Sequence, residues 1–175
     1  MKSRDFASFP MLTTERLTLR PPLPDDQNAV LALRSDPEVN KYLDRQPSKT
    51  LEEALKFINQ VNENMQRNHS LYWVIVLTMP PTVVGTVCLF DFSDKKSSCE
   101  IGYELMPKFQ GQGIMREAVQ AVIDYVFRTL KIKNILASAH RSNQNSIKLL
   151  TSLRFVKLPE TDQENPDIRI FRLTQ

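Results

Sequence analysis

The segment PKFQGQGIMREA, residues 107–118, carries two of the chain's four glycines one residue apart, each preceded by a glutamine. Glycine reaches positive φ without strain and leaves room for a ligand to approach the main chain. Gly111 and Gly113 fall between the end of an expected strand and the start of an expected helix. First-turn N–H groups there have no intrahelical partner, and the helix dipole adds partial positive charge. Small residues at such a place can form a phosphate cradle made of backbone. They are equally consistent with a tight strand-to-helix turn that holds nothing. No Gly-Lys-Ser/Thr follows and a third glycine is missing, so neither a Walker loop nor a dinucleotide fingerprint is present.

Other chemistry-bearing residues are sparse. Cys88 and Cys99 sit in expected strands, with no CxxC and no Cys/His cluster, so no metal site is expected. His69 and His140 lie far apart in the chain. Two reduced structural thiols fit a cytoplasmic protein. The net charge of +3 is too small to argue for nucleic acid, though converging charges would favour an anionic ligand. No apolar run approaches the roughly 20 residues of a membrane span. The N-terminal MKSRDFASFPML has no apolar leader.

The elements around the glycines read as follows. RLTLR (16–20) alternates as a strand and stops at Pro21-Pro22. Asp25 and Asp26 can cap a helix carrying Val30 and Leu33, and SDPEVNKYL (35–43) restarts as a short helix with Pro37 in its first turn. Thr50 and Glu53 form a capping box before Leu51, Ala54, Ile58, Val61 and Met65 at helical spacing. LYWVIVL, VVGTVCLFDF and EIGYELM then read as an antiparallel meander. A helix runs from the glycines through Leu130; IKNILASAH is a strand, NSIKLLTSL a short helix, and FVKL and DIRIFRL close as strands. The expectation is one α/β domain over residues 1–175: a mixed, mostly antiparallel sheet of about seven strands with about four helices on its two faces.

With these elements in place, QGQGIM resembles the (Arg/Gln)-x-x-Gly-x-(Gly/Ala) acyl-coenzyme A motif of the GNAT acetyltransferases. EIGYELMPKFQGQGIMREAV and HRSNQNSIKLLTSLRF resemble the ribosomal-protein N-acetyltransferase (Rim-type) branch, and the similarity extends from TTERLTLRPPLPDD to the last strand. It implies the GNAT fold, acetyl-CoA as acyl donor and no metal. It implies that Gln110, Gly111, Gln112, Gly113, Ile114 and Met115 present N–H groups to the coenzyme A diphosphate. It implies that Leu105 and Met106 pair with the pantetheine amides as if they were an added strand. Asn143 matches the asparagine that contacts the pantetheine arm; it can equally cap the helix that follows. Met115 stands where glycine or alanine is usual, which narrows the neighbouring space. Leu150 replaces a tyrosine that in many relatives protonates the thiolate, and Arg154 replaces a glycine before Phe155.

The implied reaction is direct acyl transfer from a thioester to an amine in a ternary complex. The acceptor is a protein N-terminus or a small amine, and it must lose a proton before attack. By the resemblance Glu100 is the catalytic base; Glu104, two residues along and on the same strand face, is the alternative. A strand N–H near Leu105 would stabilise the oxyanion. Ser146 matches a serine that could hydrogen-bond the leaving sulfur, and could equally serve the helix cap. Tyr42 and Tyr103 could line the acceptor pocket or simply pack. The segment Asn40–Ser48 and the loop Pro159–Pro166 would flank the acceptor. A monomer or homodimer is expected. The rival from another class is a non-catalytic acyl-coenzyme A-binding regulatory protein, favoured by Leu150 and Met115.

Overall fold

Apolar runs bounded by proline, glycine and polar turns become the strands of a single sheet, and the helical repeats pack on its two faces. The structure, a computed structural model, describes residues 9–175; Met1–Ser8, most of the MKSRDFASFPML segment, lies outside them. The elements are β1 (Leu12–Thr13), β2 (Leu17–Arg20), α1 (Gln27–Ser35), α2 (Pro37–Asn40), α3 (Leu51–Gln66), β3 (Leu71–Leu77), β4 (Thr82–Ser93), β5 (Ser98–Leu105), α4 (Ile114–Tyr125), β6 (Asn134–His140), α5 (Gln144–Ser152), β7 (Val156–Thr161) and β8 (Ile168–Thr174). The eight strands lie in the order β1-β2-β3-β4-β5-β6-β8-β7. All neighbours are antiparallel except β5 and β6, which run parallel. That parallel pair needs a crossover, and α4 supplies it. The strand beyond the expected seven is the two-residue β1, and the short α2 raises the helix count to five.

Leu17, Leu19, Trp73, Ile75, Val87, Leu89, Ile101 and Ile135 form the main core with Ala118, Val119 and Val122 of α4 and Leu150 of α5. A smaller cluster of Val30, Ala54 and Ile58 joins α1 to α3. Trp73 is a core residue, fully buried, and its indole N–H donates to the Pro10 carbonyl at 2.7 Å. Among the described residues no helix is long and apolar enough to cross a membrane.

Two expected caps act differently. Asp26 does not cap α1: its carboxylate accepts the Leu23 N–H and two hydrogen bonds from Arg20 at 2.7 and 2.8 Å, tying β2 to the turn before the helix. Burial would raise its pKa; the Arg20 hydrogen bond, the Leu23 N–H and the Arg20 charge outweigh burial and lower it. Thr50 does accept the Glu53 N–H at 3.2 Å, but Glu53 reaches back to the N–H of Lys49 rather than of Thr50. β7 also runs to Thr161, so the loop expected over Pro159–Pro166 begins after that residue.

Candidate active site

β5 and β6 pair only at Ser98, Cys99 and Glu100 with Asn134, Ile135 and Leu136. Beyond Glu100 each strand stays tied to its outer neighbour, β5 to β4 as far as Leu105 and β6 to β8 as far as His140. The two therefore diverge and leave a slot through the sheet. Gly85 helps hold β5 on the β4 side: a Cβ there would lie 2.3 Å from the Glu104 carbonyl oxygen, so no larger residue allows this approach. The Met106 N–H bonds the Val84 carbonyl at 2.9 Å. Alternation along β5 then turns the N–H and C=O groups of Ile101, Tyr103 and Leu105 towards the slot. Of the two residues expected to pair with pantetheine, Leu105 faces the slot. Met106 does not, because its N–H is taken by Val84 and its carbonyl accepts the Phe109 N–H.

The glycine segment closes one end of this slot. Gly111 and Gly113 have φ of +74° and +75°, the left-handed region that their missing side chains make accessible. Gly113 is the N-cap of α4, and its carbonyl accepts the Glu117 N–H. Among the described residues nothing accepts from the N–H groups of Gly111, Gly113, Ile114 or Met115. Ile114 and Met115 bury their side chains in the core. The Gln110 side chain donates to the Leu105 carbonyl at 3.1 Å, and that of Gln112 to the Lys108 carbonyl at 3.0 Å.

Period-2 alternation puts the candidate catalytic groups on opposite faces of the slot. Glu100 and Glu104 lie on the α1–α3 face. Glu100 is half-buried and accepts a hydrogen bond from Ser138 of β6 at 2.7 Å. Burial, with the charges of Asp91 and Asp162, raises its pKa against the opposing Ser138 hydrogen bond. Glu104 instead gives both oxygens to the Arg45 guanidinium, one at 3.0 Å, and Arg45 also donates to Asn40. That pair ties the Asn40–Ser48 segment to β5, and Tyr42 stacks on His140 with ring centroids 5.3 Å apart. On the opposite face Asn143 caps α5 by accepting the Ser146 N–H at 3.1 Å. The Ser146 hydroxyl shares a 2.8 Å hydrogen bond with that of Tyr103. Burial pushes the Tyr103 phenol up to about 12, so it stays protonated at neutral pH. Leu150 is fully buried in the core.

The slot thus brings together Glu100, Leu105, Ser146 and Asn143, with the cradle from Gln110 to Met115 at its end. The residues that sequence reasoning missed are Ser138, Arg45 and Arg16. A serine in a half-exposed strand carries no signal until the parallel register with β5 is known. Arg45 and Arg16 look like ordinary surface charges until their partners are seen. No group of His, Cys, Asp and Glu among the described residues could hold a metal ion.

An acetyltransferase (GNAT) domain model matches residues 16–156. An uncharacterized N-acetyltransferase, p20, of Bacillus licheniformis is 37% identical over 147 residues, 83% of this chain and 82% of its own length. Among solved structures, the ribosomal L7/L12 alpha-N-protein acetyltransferase RimL, in complex with coenzyme A, superposes with a TM-score of 0.83 at 22% identity, covering 94% of this chain and 98% of that one. Spermidine N-acetyltransferase from Vibrio cholerae, bound to CoA and spermine, gives a TM-score of 0.79 at 21% identity over 93% of this chain and 97% of that one. This chain therefore belongs to the GNAT family of acetyl-CoA-dependent acetyltransferases.

Proposed function

We propose that a single catalytic domain transfers the acetyl group of acetyl-CoA to a primary amine by direct attack within the slot between β5 and β6. The observation that carries this reading is the slot's two-sidedness. A carboxylate with a raised pKa stands on one face; the hydroxyl pair and the cradle stand on the other. The donor lies on the α4–α5 side, its diphosphate on the N–H groups of Gly111 to Met115 and its pantetheine arm along Leu105, near Asn143. The acceptor arrives on the α1–α3 side, where Glu100 takes its proton directly or through water. A slot-facing N–H of β5 near Leu105 stabilises the oxyanion. The thiolate leaves beside Ser146, whose contact with Tyr103 supplies the hydroxyl pair that Leu150 cannot provide. The acceptor is a protein N-terminal α-amine or a small amine; the GNAT relatives above include both kinds. Cys88 and Cys99, neither of them in a disulfide, fit a reducing compartment, the cytoplasm.

The test is coenzyme A release, read with a thiol reagent, across a panel of amines and N-terminal peptides, with thermal unfolding alongside. Acetyl-CoA at about 100 times Kd stabilises the fold by roughly 2.7 kcal/mol through linkage. Stabilisation without thiol release from any amine would make the protein an acyl-coenzyme A-binding regulator, the reading that Leu150 favours. An unmoved melting temperature at millimolar donor would remove the cradle from the site.

A further inference from the structure

We infer that Arg16, at the entry to β2, is a positioning residue for donor binding: it holds the Gln112 carbonyl outward and so aims the Gly113 N–H into the cradle. The inference rests on the reading that the cradle takes the donor's diphosphate. Arg16 Nη1 donates to the Gln112 carbonyl at 3.1 Å. In a trans peptide the C=O and the following N–H point in opposite directions. Fixing the Gln112 oxygen against Arg16 therefore turns the Gly113 N–H away from Arg16, towards the free N–H groups of the first turn of α4. Nothing in α4 does this job, because the Gln112 carbonyl accepts no hydrogen bond from the helix among the described residues.

Arg16 is itself held firmly. Its Nε pairs with Glu117 of α4 at 2.7 Å and its backbone N–H donates to the same carboxylate at 3.0 Å. Thr14 adds a third hydrogen bond to Glu117 at 2.6 Å, and the Thr14–Leu17 turn closes on itself through Thr14 N–H to the Leu17 carbonyl at 2.9 Å. Glu117 is an acid in the first turn, where its charge alone would repel a diphosphate; Arg16 neutralises it. The Arg16 Nη2 also stands 3.5 Å from where a Gly113 Cβ would lie. Nε is engaged by Glu117 and Nη1 by the Gln112 carbonyl, and it is through the Nη1 bond that Arg16 acts on the loop.

The experiment compares Arg16→Met, Arg16→Lys and Glu117→Gln with the native enzyme, using acetyl-CoA and S-acetylpantetheine, a donor without the diphosphate. Positioning predicts that Arg16→Met raises KM for acetyl-CoA by about tenfold or more, the scale of one charge-assisted contact. KM for S-acetylpantetheine moves less than twofold, and Arg16→Lys recovers part of the loss. KM does not depend on the folded fraction, so a partly unfolded variant still reports. Equal rises for both donors would show general damage to the fold and overturn the inference; so would no rise for either. Glu117→Gln weakens acetyl-CoA by unseating Arg16. Tighter binding in that variant would mean a freed Arg16 meets phosphate directly, which also overturns the inference. A native enzyme that does not prefer acetyl-CoA over S-acetylpantetheine would overturn the cradle reading and this inference together.

Discussion

Glu100 is the residue whose environment says most about rate. Burial, with Asp91 and Asp162 nearby, raises its pKa, and the Ser138 hydrogen bond opposes that rise. A raised carboxylate is a stronger base once ionised, but it ionises later, so with Glu100 as the proposed base kcat/KM should fall on the acid side as it protonates. Glu100→Gln should lower kcat by about 10²–10⁴-fold while acetyl-CoA affinity holds, and the loss should shrink as pH rises and more amine arrives neutral. Ser138→Ala removes the one contact that lowers the pKa, so the acid limb should move to higher pH in a pH–rate profile. A limb that stays in place would detach it from Glu100. The alternative base is engaged elsewhere, since Glu104 has both oxygens on Arg45. The family pattern pointed to Glu100 as the proposed base, with Glu104 as the alternative. It could not separate it from Glu104, because strand alternation puts both on one face and only the partner from a distant segment distinguishes them.

At the scale of elements, the ends of helices carry the informative strain. Arg154 has φ of +67° and closes α5, with the Phe155 N–H reaching back to the Leu150 carbonyl at 3.0 Å. Left-handed geometry costs a residue with a side chain about 1 kcal/mol, so Arg154→Gly should raise Tm by roughly 2–4 °C. Scanning calorimetry would decide it, and an unchanged Tm would place the strain elsewhere. Gly113→Val should cut donor binding strongly because of its φ of +75°, and its bulk would press on Arg16 rather than on the donor. Gln112→Ala should do far less, because its side chain bonds only the Lys108 carbonyl in its own loop. Helices, strands and the need for glycine were legible from periodicity and composition. The slot was not, because it depends on where β5 and β6 stop pairing, and that is set by their outer neighbours and by Gly85.

For the molecule as a whole, stability should depend on pH through groups with opposite signs. Asp26 and Glu117 have lowered pKa values: in each, burial pushes upward and is outweighed, by Arg20 and Leu23 for one and by Thr14 and Arg16 for the other. Their contributions are fully present above the ordinary carboxylate value and are lost as pH falls through the folded value. Glu100, raised, works the other way: its ionised form costs stability, and the cost is relieved as pH falls through its folded value. The acid loss from Asp26 and Glu117 is therefore opposed by Glu100. Asp26→Asn should cost about 3 kcal/mol at pH 7, because it leaves Arg20 without its charged partner, and should flatten the fall in stability towards acid. Urea titrations at several pH values would show it; an unaltered acid slope would assign the pH dependence to other carboxylates. The sequence showed Asp26 only as a helix cap, since its partner Arg20 lies across a proline turn that gives no sign of folding back.

Gln110 already occupies the Leu105 carbonyl that an incoming donor amide would use. Binding then trades one amide for another, and the heat released should be less than the count of contacts suggests. On the proposed reading the same exchange would run backwards after reaction: as spent coenzyme A loosens, the tethered amide of Gln110 would recapture the carbonyl and speed its departure. Gln110→Ala should therefore lengthen the residence time of coenzyme A and deepen product inhibition. Stopped-flow displacement would measure this, and faster release in the variant would show that Gln110 grips the product instead.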